Sequence, residues 1–212
     1  MLDLQLPALD PARGTRLDDD DYVSDFRRRA ADIRDGSSWK LERLQHFEED
    51  SPSREALRRG DWEGALRLLE DRRERLARTR RERRKRGYVF HRVRVVEQPL
   101  TPYVRWELHA LSLGAEYGTP ARVIDADTVA DLEHEGPLPE IVVLGDGTLY
   151  LIHYTAGGTF TYATRFTDPG LVTPWEGLIR RLFADGEDVS SYLAREVAAT
   201  PRPRLTADPE SG

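Results

Sequence analysis

The sequence predicts an α+β protein: one mixed, largely antiparallel sheet of about five or six strands packed by helices, with a helical N-terminal part. Three patterns predict it. Helical periodicity dominates up to Gly87, and a strand, a helix and a short strand follow as far as Ile124. From Glu140 onward, apolar runs separated by Asp146-Gly147 and Gly157-Gly158 read as a three-strand meander. A chain of 212 residues, 39% hydrophobic and 33% charged, suits one domain over 21–198. Within it, 21–87 is helical, 88–167 is a strand-helix and meander core, and 169–198 supplies C-terminal helices. Residues 1–20, with Pro7, Pro11, Gly14 and the run Asp18 to Asp21, read as a flexible acidic leader, and 199–212 as a disordered tail.

Each element has its own signal. Tyr22, Phe26, Ala30 and Ile33 form one helical face, and the Asp run before it meets the positive end of the helix dipole. Gly36 stops that helix. Trp39 and Leu41 then alternate with Lys40 and Glu42 in a short strand. Ser51-Pro52 starts a short helix, and Asp61 caps a longer one, with Trp62, Ala65, Leu66, Leu69 and Leu76 inward, that runs towards Arg86 and Gly87. Tyr88 to Val96 is a strand with Tyr88, Phe90, Arg92, Arg94 and Val96 on one face and Val89, His91, Val93 and Val95 on the other. Thr101-Pro102 opens a helix that Gly118 closes. Ala121 to Ile124 is a strand, and Asp127 caps a helix through about Glu135. The meander takes Ile141 to Leu144, Leu149 to Tyr154 and Phe160 to Phe166; helices follow at Trp175 to Phe183 and Val189 to Ala198.

Composition excludes several chemistries. The chain has no cysteine, which removes disulfides, thiolate catalysis and cysteine-bound zinc. No apolar stretch approaches the roughly 20 residues of a membrane span, and MLDLQLPALD lacks the form of a secretory signal, so a cytoplasmic address is expected. Lys40 and Lys85 are the only lysines; an arginine bias of this kind suits a GC-rich, actinobacterial genome. The net charge of −6 argues against nonspecific nucleic-acid binding by the whole protein. Walker loops, nucleophile elbows, dinucleotide-binding glycines and helix-turn-helix spacing are missing, no cofactor is implied, and an enzyme is the less favoured class.

The residues that carry chemistry are arginines. Arg72 to Arg86 holds ten Arg or Lys and two Glu, and Arg78, Arg81, Arg84 and Lys85 are the candidate partner-binding residues. The stretch reads as a solvated helix face, a surface for an acidic protein, or a phosphate track without aromatic residues for base stacking. The helix from Thr101 carries a stripe of Arg105, His109, Ser112 and Glu116. Arg105, Glu107 and His109, with Arg92 and Arg94 on the preceding strand, suit anion binding and proton transfer, because guanidinium forks fit phosphate or carboxylate and histidine titrates near neutrality. The same stripe also fits an exposed helix face. His153 lies between Leu151 and Thr155 on its strand face, as a half-buried structural histidine does, and His91 sits among valines. Asp125 and Asp127 at a strand end have the placement of magnesium ligands but no glycine-rich phosphate loop, and Asp127 already serves as a cap, so no metal site is expected.

Two stretches, RVRVVEQPLTPYVRWEL from Arg92 and SWKLERLQHFEE from Ser38, together with GDWEGALRLLE from Gly60 and Leu151 to Tyr154, resemble an uncharacterised actinobacterial domain family. The resemblance spans about residues 22 to 195. It implies no activity; it points to Arg92, Arg94, Pro99, Tyr103, Arg105, Glu107, His153 and Tyr154 as pattern residues, and to work alongside a helix-turn-helix regulator. The expectation is a regulatory or accessory binding protein that acts with such a partner and senses a small anion through Arg92, Arg94, Tyr103, Arg105, Glu107, His109 and His153. The alternative is an enzyme on a phosphorylated or carboxylated substrate with Glu107, His109 or His153 as acid or base; it requires these groups to line one pocket.

Overall fold

The computed structural model describes residues 6–134 and 136–197; the tail predicted at 199–212 lies outside the described residues. In chain order the elements are β1 (Thr15–Leu17), α1 (Asp19–Asp32), β2 (Ser37–Glu42), α2 (Pro52–Arg58), α3 (Trp62–Glu70), α4 (Arg73–Lys85), β3 (Val89–Val96) and α5 (Pro102–Glu116). There follow β4 (Ala121–Asp125), α6 (Ala126–Val129), β5 (Glu140–Leu144), β6 (Thr148–Tyr154), β7 (Phe160–Phe166), α7 (Pro169–Asp185), β8 (Glu187–Asp188) and α8 (Val189–Tyr192). The strands form one mixed sheet in the order β1-β7-β6-β5-β2-β3-β4-β8. β2, β3 and β4 run parallel to one another, and the remaining pairs are antiparallel. Among the described residues no helix is long and apolar enough to cross a membrane.

The α+β class holds, but the sheet has eight strands rather than five or six. The additions are β1, which pairs with β7 inside the predicted leader, and β8, which pairs with β4. Strands of two and three residues are too short to show a hydrophobic period, and the open edges of β7 and β4 impose them.

Capping residues place most helices where the sequence puts them. Ser51 accepts from the Arg54 N–H (3.1 Å), Asp61 from Gly64 (2.8 Å) and Thr101 from Val104 (3.1 Å). Four helices depart from expectation. The helix predicted over Val189 to Ala198 is the short α8 followed by a π-helical turn at Leu193–Val197, with Ala198 outside the described residues. The helix predicted from Asp61 to Arg86 is broken at Asp71 and Arg72 into α3 and α4. α3 buries Ala65 and Leu69, whereas α4 buries no residue; the break frees the charged half to cross over the sheet instead of following α3 into the core. The helix predicted from Asp127 shrinks to α6 and a single 3-10 turn, with Asp125 at its start. α7 begins at Pro169, earlier than predicted, because the Asp168 carboxylate accepts from the Gly170 N–H (2.9 Å) and proline suits a first turn.

The two sheet faces differ in kind. Trp39, Leu41, Val93, Val95, Ile141 and Val143 form one continuous apolar core with Leu171, Leu178 and Ile179 of α7. The other face carries two separate apolar clusters. Phe26 of α1 meets Phe90 and Tyr150, while α5 with α2, α3 and α8 covers Val96, Ala121 and Val123. α1 is fixed there by Asp25, which accepts from the Tyr150 hydroxyl (2.8 Å) and Arg165 (3.0 Å). The strip of sheet between the clusters is occupied by the polar side chains of β2 and β3.

Candidate functional site

Strand parity builds the site. In the parallel β2–β3 ladder Lys40 lies beside Arg92 and Glu42 beside Arg94, so the four charged side chains share one face. Glu42 is 1% exposed and Arg94 fully buried, whereas the Lys40 and Arg92 side chains keep 24% and 27% exposure. Lys40 and Arg92 therefore form the mouth, and Glu42 and Arg94 the floor.

Every charge on the floor is held. Arg92 grips Glu42 with both arms of its fork, Nε to Oε2 at 2.8 Å and Nη2 to Oε1 at 2.5 Å, and Lys40 Nζ reaches Oε1 at 2.7 Å. Burial pushes the Glu42 carboxyl up, but Arg92 and Lys40 override it and hold it well below the ordinary range. Arg94 Nε donates to Glu107 Oε2 of α5 (2.8 Å), and its Nη1 donates to the carbonyls of Glu42 and Val95. The buried Arg94 Nη2 has no hydrogen-bond partner among the described residues. Burial raises the Glu107 carboxyl although Arg94 opposes it, so this carboxyl is the more ready of the two to take a proton. Tyr103 closes the α5 side, with its hydroxyl donating to Glu49 (3.1 Å).

Two coverings complete the enclosure. Phe47, in the loop after β2, sits 5.7 Å from the Arg94 guanidinium and 6.0 Å from Lys40 and packs on Tyr154. Gly158 lets the β6–β7 turn close on that loop: a Cβ there would stand 2.6 Å from the His46 carbonyl, and its φ is +84°. Glu48 anchors the loop from outside through His46, Arg54 and Arg58. The second covering is α4, which crosses above β3. Arg73 pairs with Glu116 (2.7 Å), Arg86 donates to the Ala30 carbonyl (2.6 Å), and Arg83 donates to Thr119 (2.8 Å) over the rings of Tyr88 and Phe90. Arg72 and Arg83 are depressed first by burial and then by neighbouring guanidiniums, Arg92 among them. The buried Arg72 Nε has no hydrogen-bond partner among the described residues.

Of the residues expected to bind a ligand, Arg92, Arg94, Tyr103 and Glu107 come together. The others do not. Arg105 lies over the Trp62 ring (5.9 Å) on the outer side of α5, and His109 meets the same ring and lines a groove with Glu63, Glu70 and Glu116. A residue four positions from Arg105 shares its helix side, which is the side away from Glu107. His153 is on the far face of the sheet, stacked on Tyr162 (4.0 Å) with Nε2 at 3.0 Å from Thr164. Burial lowers both histidines and favours their neutral form. Glu107, His109 and His153 thus occupy three surfaces, and the single pocket required of them as acid and base does not form. Asp125, at the end of β4, accepts from the Tyr192 hydroxyl (3.0 Å).

Lys40, Glu42, Arg72 and Arg83 escape the sequence reading. For the first two the signal was present: alternation with Trp39 and Leu41 assigns them one face, and polar alternation reads as a solvent face unless the covering elements are known. Arg72 and Arg83 are indistinguishable in sequence from the other arginines of their run. The expected partner residues Arg78, Arg81, Arg84 and Lys85 are exposed on the outer side of α4, with no ion pair or hydrogen bond among the described residues.

The model of a family described as a domain of unknown function (DUF6879) matches residues 24–194. No curated protein matches the chain.

Proposed function

The chain belongs to the DUF6879 family, which carries no assigned activity, and from that premise we propose a regulatory or accessory binding protein. It takes a small oxyanion between α4 and the β2–β3 pair and offers the outer side of α4 to a protein partner. An imbalance of charge carries the ligand half of this reading. Lys40, Arg72, Arg83, Arg92 and Arg94 converge on a strip whose carboxyls are Glu42, Glu49, Glu107 and Glu140, and burial pushes Glu107 and Glu140 towards the neutral form. A desolvated cation is costly unless paired, and the half-buried Arg72 feels the charge of Glu49 while its Nε has no hydrogen-bond partner among the described residues. A phosphate, sulfate or carboxylate group at the mouth supplies the missing negative charge to planar forks shaped for it.

Arg72 gives the test. Its replacement by methionine removes a desolvation cost but no ion pair, so the melting temperature of the free protein is expected to hold or rise. One charge-assisted hydrogen bond contributes about 1.5–3 kcal/mol, so affinity for inorganic sulfate or pyrophosphate falls roughly 10- to 100-fold. Calorimetric titration of wild type and Arg72→Met checks both. Equal anion affinity in the two proteins, or no anion binding by wild type, refutes the site.

The partner half rests on the outer side of α4. The helix carries eight cations against two glutamates, a net +6, in a chain of net −6, so the rest of the molecule carries −12. That field repels nucleic acid at range, and α4 has no aromatic residue on which bases stack. An acidic segment of a protein fits better, and a helix-turn-helix regulator is the partner we propose. The variant Arg78→Glu, Arg81→Glu, Arg84→Glu, Lys85→Glu is expected to fold and bind sulfate but to lose a partner that wild type retains on purification from its own cells. An acidic partner held equally by both proteins removes α4 as the surface.

A further inference from the structure

The antiparallel register of β2 and β5 brings a second carboxyl beside the floor of the site. Lys40 lies opposite Val142 and Leu41 opposite Ile141, so the next step sets Glu42 against Glu140 on the same sheet face. Glu140 is 5% exposed. Its Oε1 accepts from the backbone N–H groups of Arg43 (2.5 Å) and Leu44 (2.6 Å), which fix the carboxyl in place. Its Oε2 is buried and has no hydrogen-bond partner among the described residues. Glu42, by contrast, has both oxygens engaged by Arg92 and Lys40. Two neighbouring carboxyls thus have opposite environments, the arrangement that separates a proton carrier from a fixed charge.

The groups facing Glu140 can be named from each element packed on it. β2 contributes Lys40 and Glu42, and the turn after it contributes the two N–H groups, while the Arg43 guanidinium turns away to Glu97 and Glu133. β6 contributes Ile152 directly opposite, and Tyr154, whose phenol is pushed up by burial and then by Glu140 and Glu42. Burial is the main influence on Glu140 and Glu42 adds to it; against Lys40 and the two N–H groups they lift its carboxyl to about 7.

We propose that Glu42 and Glu140 act as a proton-sharing carboxyl pair and that an oxyanion held by Lys40 and Arg92 enters together with one proton. The inference rests on the anion site proposed above. The anion draws on the donors now given to Glu42 and adds negative charge beside the pair. The carboxyls lose part of their cationic compensation, and a proton leaves a buffer acid or hydronium ion, where its bond breaks, and forms an O–H bond at Glu140 Oε2. Net charge in the site is thereby conserved for a monoanion, and a fully ionised sulfate or phosphate ester adds only one negative charge.

The sign follows from linkage: binding raises the carboxyl's proton affinity, so ligand affinity is highest at low pH and falls as pH rises through the window above about 7. Inorganic sulfate is the probe, because it does not itself titrate there. Titration calorimetry of the full chain in buffers of differing ionisation heat is expected to show uptake of at most about half a proton at about pH 7, approaching one at about pH 8, and affinity several-fold weaker at about pH 8 than at about pH 6. In Glu140→Gln the buffer-dependent heat vanishes and the pH profile flattens. Should that variant fail to fold, carboxyl ¹³C NMR of wild type serves: one glutamate titrates near neutrality and moves up with sulfate. Sulfate binding without proton uptake, or no glutamate titrating near neutrality, overturns this inference and leaves the anion site standing. No sulfate binding at any pH overturns the anion site itself.

Discussion

Arg94→Ala is expected to cost about 3–5 kcal/mol of folding stability, the usual consequence of breaking a buried ion pair. Set against a typical 5–15 kcal/mol for a whole domain, that is enough to leave a marginal protein. The cost arises on several partners at once. Glu107 loses its cation while remaining buried, the carbonyls of Glu42 and Val95 lose a donor, and Phe47 loses the guanidinium beside its ring. Urea unfolding followed by tryptophan fluorescence measures it. Two further results separate charge from volume. Arg94→Met with Glu107→Leu is expected to recover most of the loss, because no uncompensated charge stays inside. Arg94→Met alone is expected to gain stability as pH falls, since Glu107, already raised by burial, then takes a proton and its penalty goes. A single variant as mild as the double would show that the pair is not what organises the floor.

Arg92→Met is expected to lower sulfate affinity by about 100-fold or more, the loss of roughly two charge-assisted hydrogen bonds at the mouth. It also carries a stability signature that Arg72→Met lacks. Wild-type Glu42 sits well below its ordinary value, against burial, through Arg92 and Lys40. It therefore contributes stability that is present above the unfolded value of about 4.3 and lost as pH falls below it. With Arg92 gone the depression shrinks, so the variant is less stable than wild type at neutral pH and converges on it in acid. Undiminished sulfate affinity, measured by calorimetry on the folded variant, would remove Arg92 from the site.

Much of this architecture is legible in the sequence because it is local. Ser51, Asp61 and Thr101 announce their helices through a side-chain oxygen that can reach an unpaired N–H three residues on. The meander is announced by its turn glycines, and the strand from Val89 by its alternation, which alone puts Arg92 and Arg94 on one face. What stays hidden depends on other parts of the chain. The break between α3 and α4 follows from which half finds a core to bury in. β1 and β8 exist because β7 and β4 have open edges.

The sequence by itself determined the α+β class, the parity of the arginines on β3 and the concentration of positive charge before Gly87. Only the tertiary structure decided which charges meet. Alternation assigns Lys40 and Glu42 to a face, but whether that face is wet or buried depends on α4, α5 and the Phe47 loop closing over it. The same alternation on β6 sends His153 to the opposite face, beyond reach of Arg92. Glu140 reaches Glu42 only through the register of two strands almost a hundred residues apart in the chain, a pairing fixed by the apolar core on the other side of the sheet.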